Sequence, residues 1–585
     1  MGNEAEPGAA PKHLRERIPH WRLLLDHGVL TDEILNHAYS GSGTEEDPYA
    51  VTWIPNDPRN PMLWPKWQKW TYTLIMAVAT MAVALVSSAY TGGVRQFMVQ
   101  FDIGTEVATL GVSLFVLGFA LGPLFWAPMS ELWGRQILYC ATFCGFTVFN
   151  AACTGSKNAA SLIIFRFFAG SFGSSPLTNA GGVIADLFPA SERGIAMSLF
   201  AAAPSLGPVL GPIIGGFLGM TEGWKWLMGL LAIFSGFMWI VGSLVVPETY
   251  APVLLRRRAA ALSKVTGKVY RSKIDIDKGG QVSVRRAFAV SLYRPWLLLF
   301  VEPIVLILSI YLAIIYGTLY MLFAAFPIVY EEKRGWNQGV GGLAFLGVLV
   351  GEGLGILWSI YTNKHYIKVQ KKHNGFAPPE ARLPVTIIAS VLLPAGLFWF
   401  AWTNAPSVHF MASIAAGVFF GAGLTLCFLG IMNYLVDAYT IFAASVLAAN
   451  SVLRSLFGMA FPLFTTYMYQ NLGIHWASSI PAFLALACVP FPLLFYKYGH
   501  RIRKYCKFAS ESDKFMRTII EQTMQARNQQ QASIPQTRDS GETQVQSNAG
   551  TPPAQYKEEE RGLDTGDEEK AIGSATPKYH APESG

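Results

Sequence analysis

Twelve times between residues 71 and 496 the chain runs apolar for roughly twenty residues. A helix rises about 1.5 Å per residue, so each run covers the roughly 30 Å hydrocarbon core of a bilayer. Lipid offers no hydrogen bonds, and a spanning segment must satisfy its own backbone, which a helix does within the segment. The runs fall at 71–91, 107–128, 137–155, 160–182, 195–218, 226–246, 297–324, 339–361, 384–404, 409–431, 441–468 and 477–496. Charged residues make up only 14% of the chain, against about a quarter in soluble domains. The expected fold is therefore an all-α integral membrane protein.

The polar parts divide it. Residues 1–65 form a polar arm, with a short helix expected at 23–37 and a Gly/Ser/Glu-rich linker at 41–47. No apolar stretch resembling a cleavable signal occurs near the start, so the first span is expected to act as an uncleaved anchor. Residues 66–246 make one six-helix bundle, 247–295 a basic central loop and 296–507 a second bundle. Residues 508–585, rich in Gln, Glu, Ser, Thr and Pro, read as a disordered tail. The six cysteines form no metal-type CxxC, and no metal site is expected.

Orientation follows from the basic residues. One set of loops carries Arg135, Arg193, Arg256, Arg257, Arg258, Lys264, Lys268, Arg271, Lys273, Lys364, Lys368, Lys371 and Lys372, with Lys497, Arg501, Arg503, Lys504 and Lys507 after the last span. The other set holds only Arg95, Lys157, Lys225, Lys333 and Arg334. The positive-inside rule puts the first set, and both termini, in the cytoplasm. The net charge of +7 is thus a membrane-flanking bias, and no nucleic-acid partner is expected.

The halves echo one another. Asp186 and Asp437 precede spans five and eleven, 251 positions apart (437 − 186), and Trp224 and Trp476 open spans six and twelve, 252 apart (476 − 224). Two related bundles with a midplane site between them are a transporter arrangement. Between spans two and three, Gly122 permits close helix approach, Glu131 is placed to pair across the bundle, and Arg135 to contact a neighbouring helix end. Span five carries Gly207-Pro208, Gly211-Pro212 and Gly215-Gly216. Three of these glycines share one face for tight packing, and the prolines kink the helix and free carbonyls.

Polar groups inside spans are costly and default to function. An arginine such as Arg166 costs about 2.5–3.5 kcal/mol on insertion scales unless partnered. Glu352, among glycines in span eight, is placed to hold a proton when dry and release it on wetting, or else simply to pack as a neutral acid. Asn450 and Arg454 lie one turn apart in span eleven, able to line a cavity or brace the segment around Asp437. Tyr316, Tyr320 and Phe323 stripe span seven as candidate cavity aromatics, suited to bulky apolar or cationic ligands, or as packing residues.

These features resemble one group of proteins. The string from Gly122 through Glu131 to Gly134-Arg135 is similar to the loop signature of the major facilitator superfamily, with Leu132 where many members carry a basic residue. Span five resembles the antiporter motif of its proton-coupled exporters, and Arg166 matches the arginine associated there with proton coupling. Closer still are Asn56-Asp57-Pro58-Arg59-Asn60-Pro61 with Trp64, Pro247-Glu248-Thr249-Tyr250, Arg294-Pro295-Trp296 with Glu302-Pro303, Asn433 to Tyr439, and Tyr498-Gly499 leading to Ile502-Arg503. Over residues 50–508 they resemble the fungal twelve-span drug:proton antiporters. The resemblance implies two pseudo-symmetric six-helix bundles and efflux of small toxic, drug-like or secondary-metabolite molecules. It also implies the proton gradient as energy source without a cofactor, protons and a small-molecule substrate as partners within the lipid bilayer, and a monomer. Plasma membrane is the expected location, with the vacuolar membrane as alternative.

An importer of the same fold, for polyamines or nutrients, is the competing reading, and span five speaks against it. A sensor would need a folded signalling domain, and an ATP-driven pump the G-x-x-x-x-G-K-[ST] loop; the sequence has neither. It has no HExxH or comparable catalytic constellation either, so no enzyme is expected.

Overall fold

The computed structural model describes residues 18–189, 192–280, 283–372 and 377–532. Ten stretches of it are long and apolar enough to cross a membrane. One of them, Thr440–Tyr505, is two spans folded at Gly473 (φ 72°), a left-handed conformation that glycine tolerates. Ala159–Leu187 completes the set as the fourth span; Arg166 and a run of small residues lower its hydropathy, but it packs on its neighbours throughout. Twelve crossing helices result among the described residues.

Spans one to six are Lys66–Ala89, Thr105–Trp133, Arg135–Thr154, Ala159–Leu187, Arg193–Thr221 and Trp224–Val245. Span seven is Pro303–Phe326, span eight is built on Leu346–Lys372, span nine is Leu383–Thr403 and span ten Phe410–Ala438. Spans eleven and twelve lie within Ala443–Cys488, the last continuing as Pro490–Tyr505. Most start and end within several residues of the expected positions, but span eight runs on to Lys372 against an expected end at 361, and span seven starts later than expected. There the chain forms a separate helix, Val284–Val301, and breaks at Glu302 (φ −105°, ψ 102°). Pro303 disfavours helical geometry at the residue before it, and Glu302 is fixed by accepting from Tyr439 Oη and the Phe508 N–H, each at 2.8 Å.

The arm and the central segment, read as separate loops, fold together on the basic face. Short helices at His20–Leu25 and Asp32–Leu35 replace the single helix expected over 23–37. Strand β1 (Tyr49–Val51) pairs in parallel with β2 (Tyr270–Ser272), Tyr49 opposite Tyr270. Beneath them Ile34, Val51 and Ile54 pack on Leu255, Ala259 and Leu262 of the helix Ala251–Thr266. Asp57 and Arg258, 0% and 2% exposed, make a bidentate pair, with Arg258 Nη2 to Asp57 Oδ1 at 3.1 Å. Beyond the last span, Lys507–Ala532 is a helix where composition points to disorder from 508. Its Lys, Glu, Gln, Arg, Met and Ala are strong helix formers, and low hydrophobicity excludes a core but not a helix. The remainder of the expected tail, from 533, lies outside the described residues.

Candidate functional site

Span five reaches the site by way of its glycines. Cβ atoms at Gly207, Gly211 and Gly215 would meet span one: Ala84 at 2.6 Å, the Ala89 nitrogen at 2.6 Å, and the Ala89 carbonyl. Gly216 faces the other bundle, where a Cβ would lie 2.7 Å from the Gln338 carbonyl. Span five therefore lies flat on span one and also touches span eight. Its Pro204 and Ser205 reach the interior.

That interior is a narrow midplane cavity between the bundles, about 30 Å³ in this conformation. Spans one, two, four, five, seven, ten and eleven line it, through residues such as Ala84, Phe119, Ser205, Tyr316, Phe428 and Arg454. Its mostly apolar wall with few polar groups is of the kind that holds a small molecule. A second hollow, between spans eight and ten around Trp336 and Ile414, has no polar lining to orient a ligand.

Of the five cavity residues the sequence suggests, Tyr316 and Arg454 line it. The other three stand behind the wall. Tyr320 is fully buried and shares hydrogen bonds with Ser87 Oγ (2.9 Å) and Tyr316 Oη (3.4 Å). Phe323 packs on Tyr320 and Phe345. Asn450 donates to Ser309 Oγ at 3.3 Å and does not brace Asp437.

Arg166 is fully buried and pairs with no acid among the described residues. Its Nε, Nη1 and Nη2 donate to the carbonyls of Gly111, Val86 and Ser87, each at 3.0 Å, and its guanidinium lies against Tyr90 (4.8 Å) and Phe115 (4.2 Å). It thereby staples span four to the last turn of span one, where the α-helix tightens to a 3₁₀ turn at Tyr90–Gly93. Ser87 links onward through Tyr320 and Tyr316 to Arg454, so a chain of contacts crosses from one bundle to the other. Glu352 is 0% exposed with neither carboxyl oxygen hydrogen-bonded, and it sits against span ten without lining the cavity.

On the basic face the loop residues take defined places. Arg135 pairs with Asp186 at 3.5 Å, donates to Ser130 Oγ at 2.6 Å and lies over Tyr250. Glu131 is exposed and pairs with no described residue; the acid that meets Arg135 is Asp186. In the second half Arg382 pairs with Asp437 at 2.9 Å, 247 positions after Arg135 (382 − 135). The Arg135–Asp186 contact is thus repeated, as the spacing of Asp186 and Asp437 suggests. The tryptophan echo is looser: Trp224 is buried and Trp476 is 58% exposed.

Sequence reasoning missed Glu248. Its carboxylate accepts from the Arg135 and Gln136 N–H groups at 3.0 and 3.1 Å, an anion on the N-terminus of span three. It also accepts from Thr249 and Tyr250, while Arg59 grips its carbonyl at 3.2 Å. Burial pulls the Arg59 guanidinium down to about 10, with Glu248 opposing. The strings around Asp57 and Glu248 are two sides of one contact, and their shared resemblance to a family was the available signal.

On the opposite face the bundles close on each other. Gly342 abuts Pro212, Gln338 Nε2 donates to the Gly92 carbonyl at 2.8 Å, and Arg95 pairs with Glu331 at 3.0 Å. This is the only ion pair between the bundles among the described residues.

Twelve helices in two related bundles around a midplane cavity define a secondary transporter. The sequence profile of the Major Facilitator Superfamily matches residues 73–462, and the chain belongs to that family, among its fungal efflux transporters. It is 66% identical over 513 residues to the major facilitator superfamily multidrug transporter mdrA of Aspergillus fumigatus, covering 88% of this chain and 84% of that one. It is 64% identical to the MFS-type efflux pump MFS2 of Trichophyton rubrum (87% and 86% covered) and 53% identical to the efflux pump FUB11 of Gibberella moniliformis (83% and 81%). Among solved structures, the xylose transporter XylE from E. coli in a partially occluded inward-open conformation superposes with a TM-score of 0.53 at 16% identity, over 74% of this chain and 98% of that one. That likeness concerns the fold alone.

Proposed function

We propose that this protein exports small toxic, drug-like or secondary-metabolite molecules from a fungal cell in exchange for protons. The observation that carries the reading is the midplane cavity, sealed on one face by the span five–span eight contact and the Arg95–Glu331 pair. Such a site serves alternating access: breaking that seal and closing the basic face delivers the ligand to the other side. Fungal relatives above 60% identity named as a multidrug transporter and an efflux pump support export. Glu352 is the proton carrier in this scheme, since a dry, unbonded carboxyl takes up a proton and yields it when water enters. Arg166 ties the cavity helices together so that coupling is transmitted. The basic face, with both termini, is cytoplasmic, the membrane is the plasma membrane, the working unit is a monomer, and the proton gradient is the energy source.

The test is transport in proteoliposomes under an imposed pH gradient, alongside the susceptibility of a deletion strain across drugs, polyamines and endogenous metabolites. Expected are gradient-driven substrate movement that a protonophore abolishes and a deletion strain sensitised to exported compounds. Transport indifferent to the gradient would remove the antiport mechanism, and an unchanged susceptibility and accumulation profile would remove export.

A further inference from the structure

The cavity wall carries one formal charge, the guanidinium of Arg454. It forms no ion pair and no hydrogen bond with any described residue, and its Nε is buried without an acceptor. Its neighbours are aromatic: the guanidinium carbon lies 4.6 Å from the Tyr316 ring centre and 5.1 Å from that of Phe428, both on the cavity wall. Arg166 also lies against two aromatic rings, but it is enclosed and bonded to three carbonyls. Among the described residues no carboxylate lines the cavity, and Glu352 lies off it against span ten.

A half-buried cation held open between ring faces, with its planar fork of donors unfilled, is a receptor for a planar anion. Guanidinium matches a carboxylate with two parallel N–H···O bonds, and the low local dielectric strengthens that pairing. The same charge repels a cationic ligand, which reverses the preference that the aromatic stripe alone suggests. The remaining wall, Phe119, Leu312 and Leu424 among it, accepts an apolar body. We propose that the preferred cargo is a small organic carboxylate with an apolar or aromatic body, its carboxylate held by Arg454 and its body against Tyr316 and Phe428. This rests on the central cavity being the transport site.

The test is equilibrium binding to the purified full chain in nanodiscs, with three probes of one shape: 1-naphthoate, 1-naphthamide and 1-naphthylmethylammonium. The naphthoate is expected to bind at least tenfold more tightly than either of the others. Arg454→Gln should bring naphthoate within about twofold of the amide, and an unchanged thermal melting midpoint reports an intact fold. Arg454→Lys should keep the preference for anion over cation but weaken naphthoate severalfold, because an ammonium lacks the fork. Should Arg454→Gln fail to fold, the wild-type selectivity and the Lys variant still decide. Equal binding of the three probes, preference for the cation, no naphthoate binding, or a preference surviving Arg454→Gln would each overturn the proposal. Export itself is read separately from the deletion strain and gradient-driven efflux of an uncharged drug, so anion selectivity can fail while export stands.

Discussion

Glu352 and Arg166 are both fully buried inside their spans, yet they differ in what surrounds them. Arg166 has every donor group used by a backbone carbonyl, so its removal leaves three helices without their common staple. Lysine reaches one carbonyl where arginine reaches three. Arg166→Lys should therefore lower both the unfolding midpoint, measured by thermal melting in detergent, and the transport rate. A variant with wild-type melting would assign the residue to coupling alone. Glu352, with no partner to lose, should tolerate Glu352→Gln in stability while pH-driven accumulation in proteoliposomes disappears. Unchanged pH dependence would leave Glu352 as packing. The sequence exposes such residues because a charge in an apolar run is conspicuous, but it does not reveal partners. Helical spacing put Tyr316, Tyr320 and Phe323 on one stripe of span seven. Only the neighbouring spans decide that Tyr316 lines the cavity while Ser87 and Phe345 cover the other two.

Span five and the cap on the basic face show two degrees of legibility at the level of elements. Span five was readable because glycine at four-residue intervals has one physical use, close backbone approach. A side chain at Gly211 would collide with Ser88 Oγ and the Ala89 backbone of span one, whereas Gly353 has open space around it. Gly211→Ala should destabilise by about 1–3 kcal/mol, as overpacking does, and cut transport, while Gly353→Ala should do neither; thermal melting and efflux compare them directly. The cap was not readable, because its partners lie about two hundred positions apart in polar segments without periodicity. Its buried Asp57–Arg258 pair gives it a definite prediction. Asp57→Ala strands a buried guanidinium, a loss of about 3–5 kcal/mol, and should make the arm susceptible to limited proteolysis. Replacing both partners, as in Asp57→Leu with Arg258→Met, should recover part of that loss. Equal sensitivity of single and double variants would mean that the pair does not hold the cap in place.

For the whole molecule the informative asymmetry is between its two faces. Each face of each bundle has its own polar contacts, but the single ion pair joining the bundles among the described residues is Arg95–Glu331, on the face opposite the cap. Glu331 is the sheltered partner, its side chain 6% exposed against 55% for Arg95. Around it Gly216 and Gly342 bring the two bundles' backbones together at distances that admit no side chain, and Gln338 Nε2 donates to the Gly92 carbonyl. These contacts exist only while that face is closed, so weakening them shifts the population towards the state in which it is open and leaves each bundle intact. Glu331→Gln removes the charge attraction, and Gly216→Val adds a clash with the Gln338 carbonyl. Both changes act on the same equilibrium, and their effects should reinforce one another. The readout is a cysteine placed at the cavity residue Ser205, treated with a membrane-impermeant thiol reagent from that face. Four of the native cysteines are buried and two are half-buried, so the labelling background is set with the unsubstituted chain. Each single change should raise the labelled fraction at position 205 severalfold, and the double change should raise it further. Labelling that stays at background in all three would mean that this face is not held shut by those contacts, and the closure would have to be sought in the helices themselves.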